Sequence, residues 1–234
     1  MTPKLYMQRV SPPSRAVLMC AKSLDLELDL IEIDVLKMEN VTPQFLQINP
    51  LHTIPFLDDN GFLLGDSHAI MIYLVEMYGK DRSLYPDDVK KRARINQMLH
   101  FDCGTFCKAL KNCGKLKIGL YNANLARSER VPVPILLTDD KLIREENLNA
   151  LIEAFGFLET FLQNSRYIAG DSLSIADLSL ITTITNASAL VPIDGHKYPR
   201  IRAWRKLMEF LPYSDINKSG GEEFKTLIKE MLSK

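Results

Sequence analysis

Neither sign of charge prevails in this sequence. Lys and Arg together number 29, Asp and Glu together number 29, and the formal net charge at neutral pH is zero. A chain so balanced carries no electrostatic footprint for nucleic acid or for an anionic membrane surface. Long apolar runs are missing too. None approaches the ~20 residues that a membrane-spanning helix needs, and the opening MTPKLYMQRV has no signal-peptide hydrophobic region. These absences predict a cytosolic protein. Cysteine is scarce: Cys20, Cys103, Cys107 and Cys113 are the four in 234 residues, too few for a disulfide framework. The last three are close together, but no pair has the two-residue spacing of a zinc knuckle and only His100 stands nearby. The pattern argues for reduced thiols and no metal. Internal repeats and low-complexity segments are absent as well. What is present is an ordinary globular composition, 46% hydrophobic and 25% charged, at a length suited to one large or two small domains.

The first third alternates strand and helix signals. KLYMQ reads as a short strand, and residues 13–24 carry apolar residues at helical spacing. LELDLIEIDV alternates Leu and Ile with acids, as a half-buried strand does. TPQFLQINP is a short helix stopped at Asn49-Pro50, and TIPFLDDNGFLLGDS is two strands joined by a turn at 58–61. SHAIMIYLVEMYG is a helix capped by Ser67 and ended by Gly79. The order is βαβαββα. GKDRSLYPDDV follows as a linker. Beyond residue 88 only helical patterns stand out: KKRARINQMLHFDCGTFCKAL, DDKLIREENLNALIEAFGFLETFLQN, the buried SIADLSLITTITNASAL, YPRIRAWRKLMEFL and EEFKTLIKEMLSK. Residues 114–138 break any simple helix pattern with two glycines and two prolines. The expected division is therefore 1–80 α/β, 81–88 linker and 89–234 all-α.

Several polar residues stand where they could do chemistry or merely local structural work. Ser11 precedes Pro12-Pro13 at a helix start. It is a natural N-cap, but a hydroxyl there also sits in the positive field of the helix, which favours an anion such as a thiolate. It has no nearby His to make it a nucleophile. Ile54-Pro55 is either an ordinary strand start or, if cis, a backbone turned out toward an extended peptide. His52 is a surface-loop residue or a donor. Asp66 and Ser67 are a plain cap or a carboxylate-binding helix start, with Asp66 free for an ammonium.

Taken together, Ser-Pro-Pro-x-Arg-Ala-Val, Asn-Pro-x-His-Thr-Ile-Pro and Asp-Ser-His-Ala-Ile-x-x-Tyr-Leu resemble the insect cytosolic glutathione transferases of the delta/epsilon group, epsilon above all. The resemblance runs through residues 4–107 and returns at YIAGDSLSIADLSLITTI and YPRIRAWRKLMEFLPY. It implies a thioredoxin-like N-terminal domain followed by an all-helical domain, glutathione as co-substrate, and a homodimer. It implies that Ser11 hydrogen-bonds the glutathione sulfur, and that His52 donates to the glycyl carboxylate with Thr53 beside it. Ile54, ahead of a cis Pro55, would pair its backbone with the cysteinyl amide. Asp66, where the family usually has Glu, and Ser67 would hold the γ-glutamyl end, with His68 as a further binder. Cys107, Leu110, Lys111 and Gly114 would line the cleft for an apolar electrophile. The spacing of Cys103, Cys107, Leu110 and Gly114 puts them on one helix face. Ser174 and Asp177 match a buried capping box, a folding device. Residues 112–150 depart from the family pattern and are longer.

The expected activity is conjugation of the glutathione thiolate to hydrophobic electrophiles, as in detoxification of xenobiotics. Two alternatives stand beside it. One is a steroid-directed relative like the noppera-bo group of ecdysteroid synthesis. CGTFCKALKNC offers no acid to meet a ring hydroxyl. The other is a non-catalytic carrier of hydrophobic ligands.

Overall fold

The computed structural model describes residues 1–113 and 145–233. The chain begins with β1 (Lys4–Met7), α1 (Pro12–Ser23) and β2 (Asp29–Glu32). A 3-10 turn at Glu39–Val41 leads into α2 (Pro43–Ile48), β3 (Phe56–Asp59), β4 (Phe62–Gly65) and α3 (Ser67–Tyr78). The strands form one sheet in the order β2-β1-β3-β4. β1 runs parallel to β2 and antiparallel to β3, and β3 runs antiparallel to β4. This is the mixed sheet of a thioredoxin-like domain. Leu5, Met7 and Leu57 on its two central strands are fully buried, while α1 and α3 pack on each other. The β3–β4 hairpin turns on Asn60 and Gly61, both left-handed at φ 54° and 96°, as a two-residue hairpin turn requires.

Register places the candidate residues. Met7 pairs with Glu32, Tyr6 with Phe56, and Phe56 with Gly65. The chain leaving β1 toward Ser11, the chain entering β3 at Ile54-Pro55, and the chain leaving β4 at Asp66 therefore lie at one end of the sheet. The Asn60–Gly61 turn lies at the other.

Two local expectations change. The strand expected across residues 26–35 shortens to four residues with Leu30 45% exposed, because β2 is an edge strand paired only with β1. The cap of α3 is Asp66, not Ser67: Asp66 Oδ1 accepts from His68 N at 2.9 Å and Ala69 N at 3.1 Å.

The helical part contains α4 (Val89–Phe101), α5 (Cys107–Cys113), α6 (Glu145–Phe161), α7 (Ile175–Leu190), α8 (Pro199–Glu209) and α9 (Ser214–Ser233). One helix expected across residues 90–110 is interrupted by a π segment, Asp102–Phe106, where Cys107 N–H reaches back to Asp102 O. α7 is buried on nearly every side and packs against α1 and α9. Its start is the expected capping box of Ser174 and Asp177, and the Asp177 carboxylate also accepts from Trp204 Nε1 at 2.9 Å and Ile168 N at 2.9 Å. α9 begins eight residues before the expected EEFKTLIKEMLSK. It passes through Gly220 and Gly221, where added Cβ atoms would stand 2.5 Å from Arg9 O and Arg15 Cδ, and 2.5 Å from Thr185 Cγ2. Close approach to α1 and α7 outweighs the ~1 kcal/mol that a helical glycine costs. The larger hydrophobic core among the described residues runs from Leu5 and Val17 through Leu74, Phe106 and Leu158 to Trp204. Among the described residues no helix is long and apolar enough to cross a membrane.

Candidate active site

Ser11 has the extended backbone of an N-cap, φ −77° and ψ 119°, but its hydroxyl makes no capping hydrogen bond. Pro12 and Pro13 occupy the first two helical positions and have no N–H to offer. The expectation that Ser11 also caps its helix is therefore corrected: the backbone is in place, and the hydroxyl is left uncommitted among the described residues. Ser11 N–H donates to Gln8 O at 3.0 Å, and Ser11 O accepts from Arg15 N at 3.1 Å.

The loop before β3 is held from behind by two buried amides that the sequence reading passed over. Asn40 Nδ2 donates to His52 O at 2.8 Å. Asn49 Nδ2 donates to Thr53 O at 2.8 Å and, more weakly, to Thr53 Oγ1 at 3.4 Å. His52 is left-handed at φ 46°, and its imidazole has no partner among the described residues. The Ile54–Pro55 peptide is cis. Ile54 lies two residues ahead of β3, outside its ladder.

Asp66 is also left-handed, at φ 70°. A non-glycine residue held there is uncommon and clusters at functional turns. Its Oδ1 is used by the α3 cap, whereas no partner meets Oδ2 among the described residues. Ser67 is buried beside it, and its hydroxyl has no hydrogen-bond partner among the described residues. His68 faces inward. Its Nε2 lies 2.8 Å from Ser179 Oγ on α7 and 3.5 Å from Asp102 Oδ2 on the π segment. Ser179 Oγ in turn donates to Asp102 Oδ2. Asp102 Oδ1 is buried without a hydrogen-bond partner among the described residues.

The π segment interrupts the helix on which the stripe for a second substrate is expected. Cys103 is exposed on it, Cys107 is half-buried, Lys111 is exposed, and Leu110 is 7% exposed in the main core. Gly114 lies outside the described residues, as do 114–138. Burial pushes the Cys107 thiol up to about 12, with Asp102 adding to it. The Cys103 thiol is pushed up by burial first and then by Asp66 and Asp102. No group of three or more His, Cys, Asp or Glu among the described residues could hold a metal ion. A second, smaller core cluster lies beside the Ser11 loop: Phe224 and Ile228 of α9 are buried, with Val10 and with Ala189 and Leu190 of α7 packed against them. Its only sequence signal is Phe224, Leu227 and Ile228 at helical spacing.

Profiles of two families match the chain: Glutathione S-transferase, N-terminal domain, over residues 5–82, and Glutathione S-transferase, C-terminal domain, over residues 124–212. Glutathione S-transferase D7 of Anopheles gambiae is 36% identical over 236 residues, covering 99% of both chains. The solved epsilon-class glutathione S-transferase of the housefly, Musca domestica, is 36% identical with a TM-score of 0.83 over 98% of both chains. A glutathione transferase homolog of Drosophila mojavensis, solved with bound glutathione, is 35% identical with a TM-score of 0.82, over 98% of this chain and 97% of that one. With this fold and these likenesses along almost its whole length, the chain belongs to the glutathione S-transferase family and resembles its insect delta and epsilon members.

Proposed function

We propose that this chain conjugates the thiol of glutathione to apolar electrophiles, with Ser11 as the hydroxyl that stabilises the thiolate. The observation that carries this reading is the idle Ser11 hydroxyl at the head of α1. A serine so placed can donate its proton to a sulfur seated in the helix field. A hydrogen bond to a charged group contributes about 1–3 kcal/mol. The thiolate sulfur then attacks an electrophilic carbon, a thioether bond forms, and the leaving group departs with its electron pair. The chain supplies a deprotonated thiol and proximity.

Other features support the glutathione end of the site. Asp66 Oδ2 is available for an ammonium, with Ser67 and the start of α3 available for the adjoining carboxylate. His52 and Thr53, braced by Asn40 and Asn49, suit the glycyl carboxylate, and the main chain of Ile54, before cis Pro55, suits an extended peptide. His68 braces this region through Ser179 and Asp102. For the electrophile, Cys107 and Lys111 remain candidates on α5. In this reading residues 1–80 bind glutathione, 81–88 link, and 89–234 contribute the site for the apolar substrate. The protein acts as a cytoplasmic homodimer on xenobiotics.

Bound glutathione should be titrated by its ultraviolet thiolate absorbance, in wild type and Ser11→Ala. The bound thiol is expected well below the ~8.5 of a free thiol, and Ser11→Ala should raise it by about one to two units with glutathione affinity nearly unchanged. A bound thiol with an ordinary pKa in the wild type overturns the enzyme reading and favours a carrier.

A further inference from the structure

Arg15, four residues into the SPPSR run, is 1% exposed. Its guanidinium donates five hydrogen bonds, all to neutral acceptors. Nη1 reaches the two carbonyls just before Ser11: Arg9 O at 3.1 Å and Val10 O at 2.9 Å. Nη2 reaches α7, at Asn186 Oδ1 (2.6 Å) and Thr182 O (3.3 Å). Nε reaches α9, at Asn217 Oδ1 (3.1 Å). Asn186 Nδ2 adds a second bond to Val10 O at 3.1 Å. Gly220 of α9 fits against the same group so closely that an added Cβ would stand 2.5 Å from both Arg9 O and Arg15 Cδ.

We infer that Arg15 is a positioning residue for Ser11, clamping the loop that carries it to α7 and α9. This rests on the reading of Ser11 as the partner of the thiolate. The placement of Ser11 needs such a clamp. Among the described residues nothing holds its hydroxyl, so the entering chain sets where it stands. On the far side Pro12 and Pro13 fix the backbone. On the near side the Arg9 and Val10 carbonyls are the handles, and both are held by Arg15. Only a planar fork with five donors serves the loop, α7 and α9 at once; a lysine ammonium is a point charge with three. The C-terminal helix thereby bears on the ionisation of the bound thiol.

The test is a double-mutant cycle of Arg15→Lys and Ser11→Ala, read by the pKa of bound glutathione, by kcat/KM and by glutathione affinity. Arg15→Lys should raise the bound-thiol pKa by about one unit and lower kcat/KM on the order of tenfold below that pKa. Glutathione Kd should change by no more than about twofold. In the Ser11→Ala background the same change should add nothing to the pKa, since coupled residues are not additive. An unchanged thiol pKa in Arg15→Lys, or an equal shift with and without Ser11, overturns the positioning role and leaves Arg15 a purely structural clamp. A Ser11→Ala protein with a wild-type thiol pKa overturns the reading of Ser11 instead. Should Arg15→Lys fail to fold, Gly220→Ala presses on both the Arg9 carbonyl and the Arg15 stem while keeping the guanidinium, and the same cycle applies with the same readouts.

Discussion

His68 Nε2, near the head of α3, stands 2.8 Å from Ser179 Oγ on the buried helix α7. A serine hydroxyl has one proton, and Ser179 gives it to Asp102 Oδ2. His68 must therefore donate from Nε2, which assigns the proton to that nitrogen. The chain of donors ends on a buried carboxylate and joins the two domains. His68→Leu, which removes the donor, should lower stability by about 1–3 kcal/mol, and His68→Gln should recover part of it. Urea unfolding of the two variants checks this. A His68→Leu protein as stable as wild type would show that the network contributes nothing.

In the proposed reading Asp66 caps α3 through one oxygen and meets glutathione through the other, and substitution separates the two. Asp66→Asn keeps the cap acceptor and should hold stability within about 0.5 kcal/mol, because Asn and Asp cap alike. It loses the negative charge, so KM for glutathione should rise on the order of tenfold. Asp66→Ala should lose both, with about 1–2 kcal/mol less stability. Equal KM values for Asp66→Asn and wild type would exclude Asp66 from glutathione binding.

Asp59 links acidity to stability at the far end of the sheet. Burial pushes its carboxyl up, but hydrogen bonds from Tyr78, Tyr73 and Asn60 outweigh this and hold it below the usual carboxylate range. A depressed folded pKa means that the stabilisation is full above the unfolded value near ~3.9 and is lost as pH falls through the folded one. Asp59→Asn should be less stable than wild type by about 1–3 kcal/mol at neutral pH. The gap should close below pH ~4. Acid titrations of both proteins, followed by circular dichroism, decide it; a gap independent of pH would contradict the assignment.

The four thiols should react in the order of their exposure. Cys103 is exposed, Cys20 and Cys113 are buried and Cys107 is half-buried. Burial pushes Cys20 and Cys107 up to about 12 and Cys113 to about 11. Iodoacetamide at neutral pH should label Cys103 first, since the thiolate at an accessible site is what reacts. Peptide mass spectrometry reads the order, and faster labelling of Cys107 would place that thiol in an open cleft.

Local rules made much of the fold legible. Asn60-Gly61 announced its hairpin, Pro12-Pro13 the start of α1, and Ser174 with Asp177 the start of α7. Where two cap formers stand together, as at Asp66-Ser67, nothing local says which one caps, and the true cap depends on a left-handed backbone. The π segment is invisible to a period of 3.6, so Cys103 and Leu110 were placed on a face they do not share. Gly220 and Gly221 hid the first turns of α9, because their helix-breaking tendency is overridden by contacts with Arg15 and Thr185 that come from distant sequence. Asn40 and Asn49 were passed over for a similar reason: each acts on a loop through tertiary hydrogen bonds that leave no periodic mark.

The paired prolines at the head of α1 bear on which anion the helix would accept. A helix start ordinarily presents several free N–H groups, and a sulfate or phosphate binds there by engaging several at once. Pro12 and Pro13 remove two of those donors. A tetrahedral oxyanion with many lone pairs to satisfy gains little at such a site. A thiolate is a single large atom and is served by one hydroxyl within the residual field. Selection among anions at this position then follows from the number of donors each one needs, so that phosphate at millimolar concentrations would be a poor rival for the seat of the sulfur.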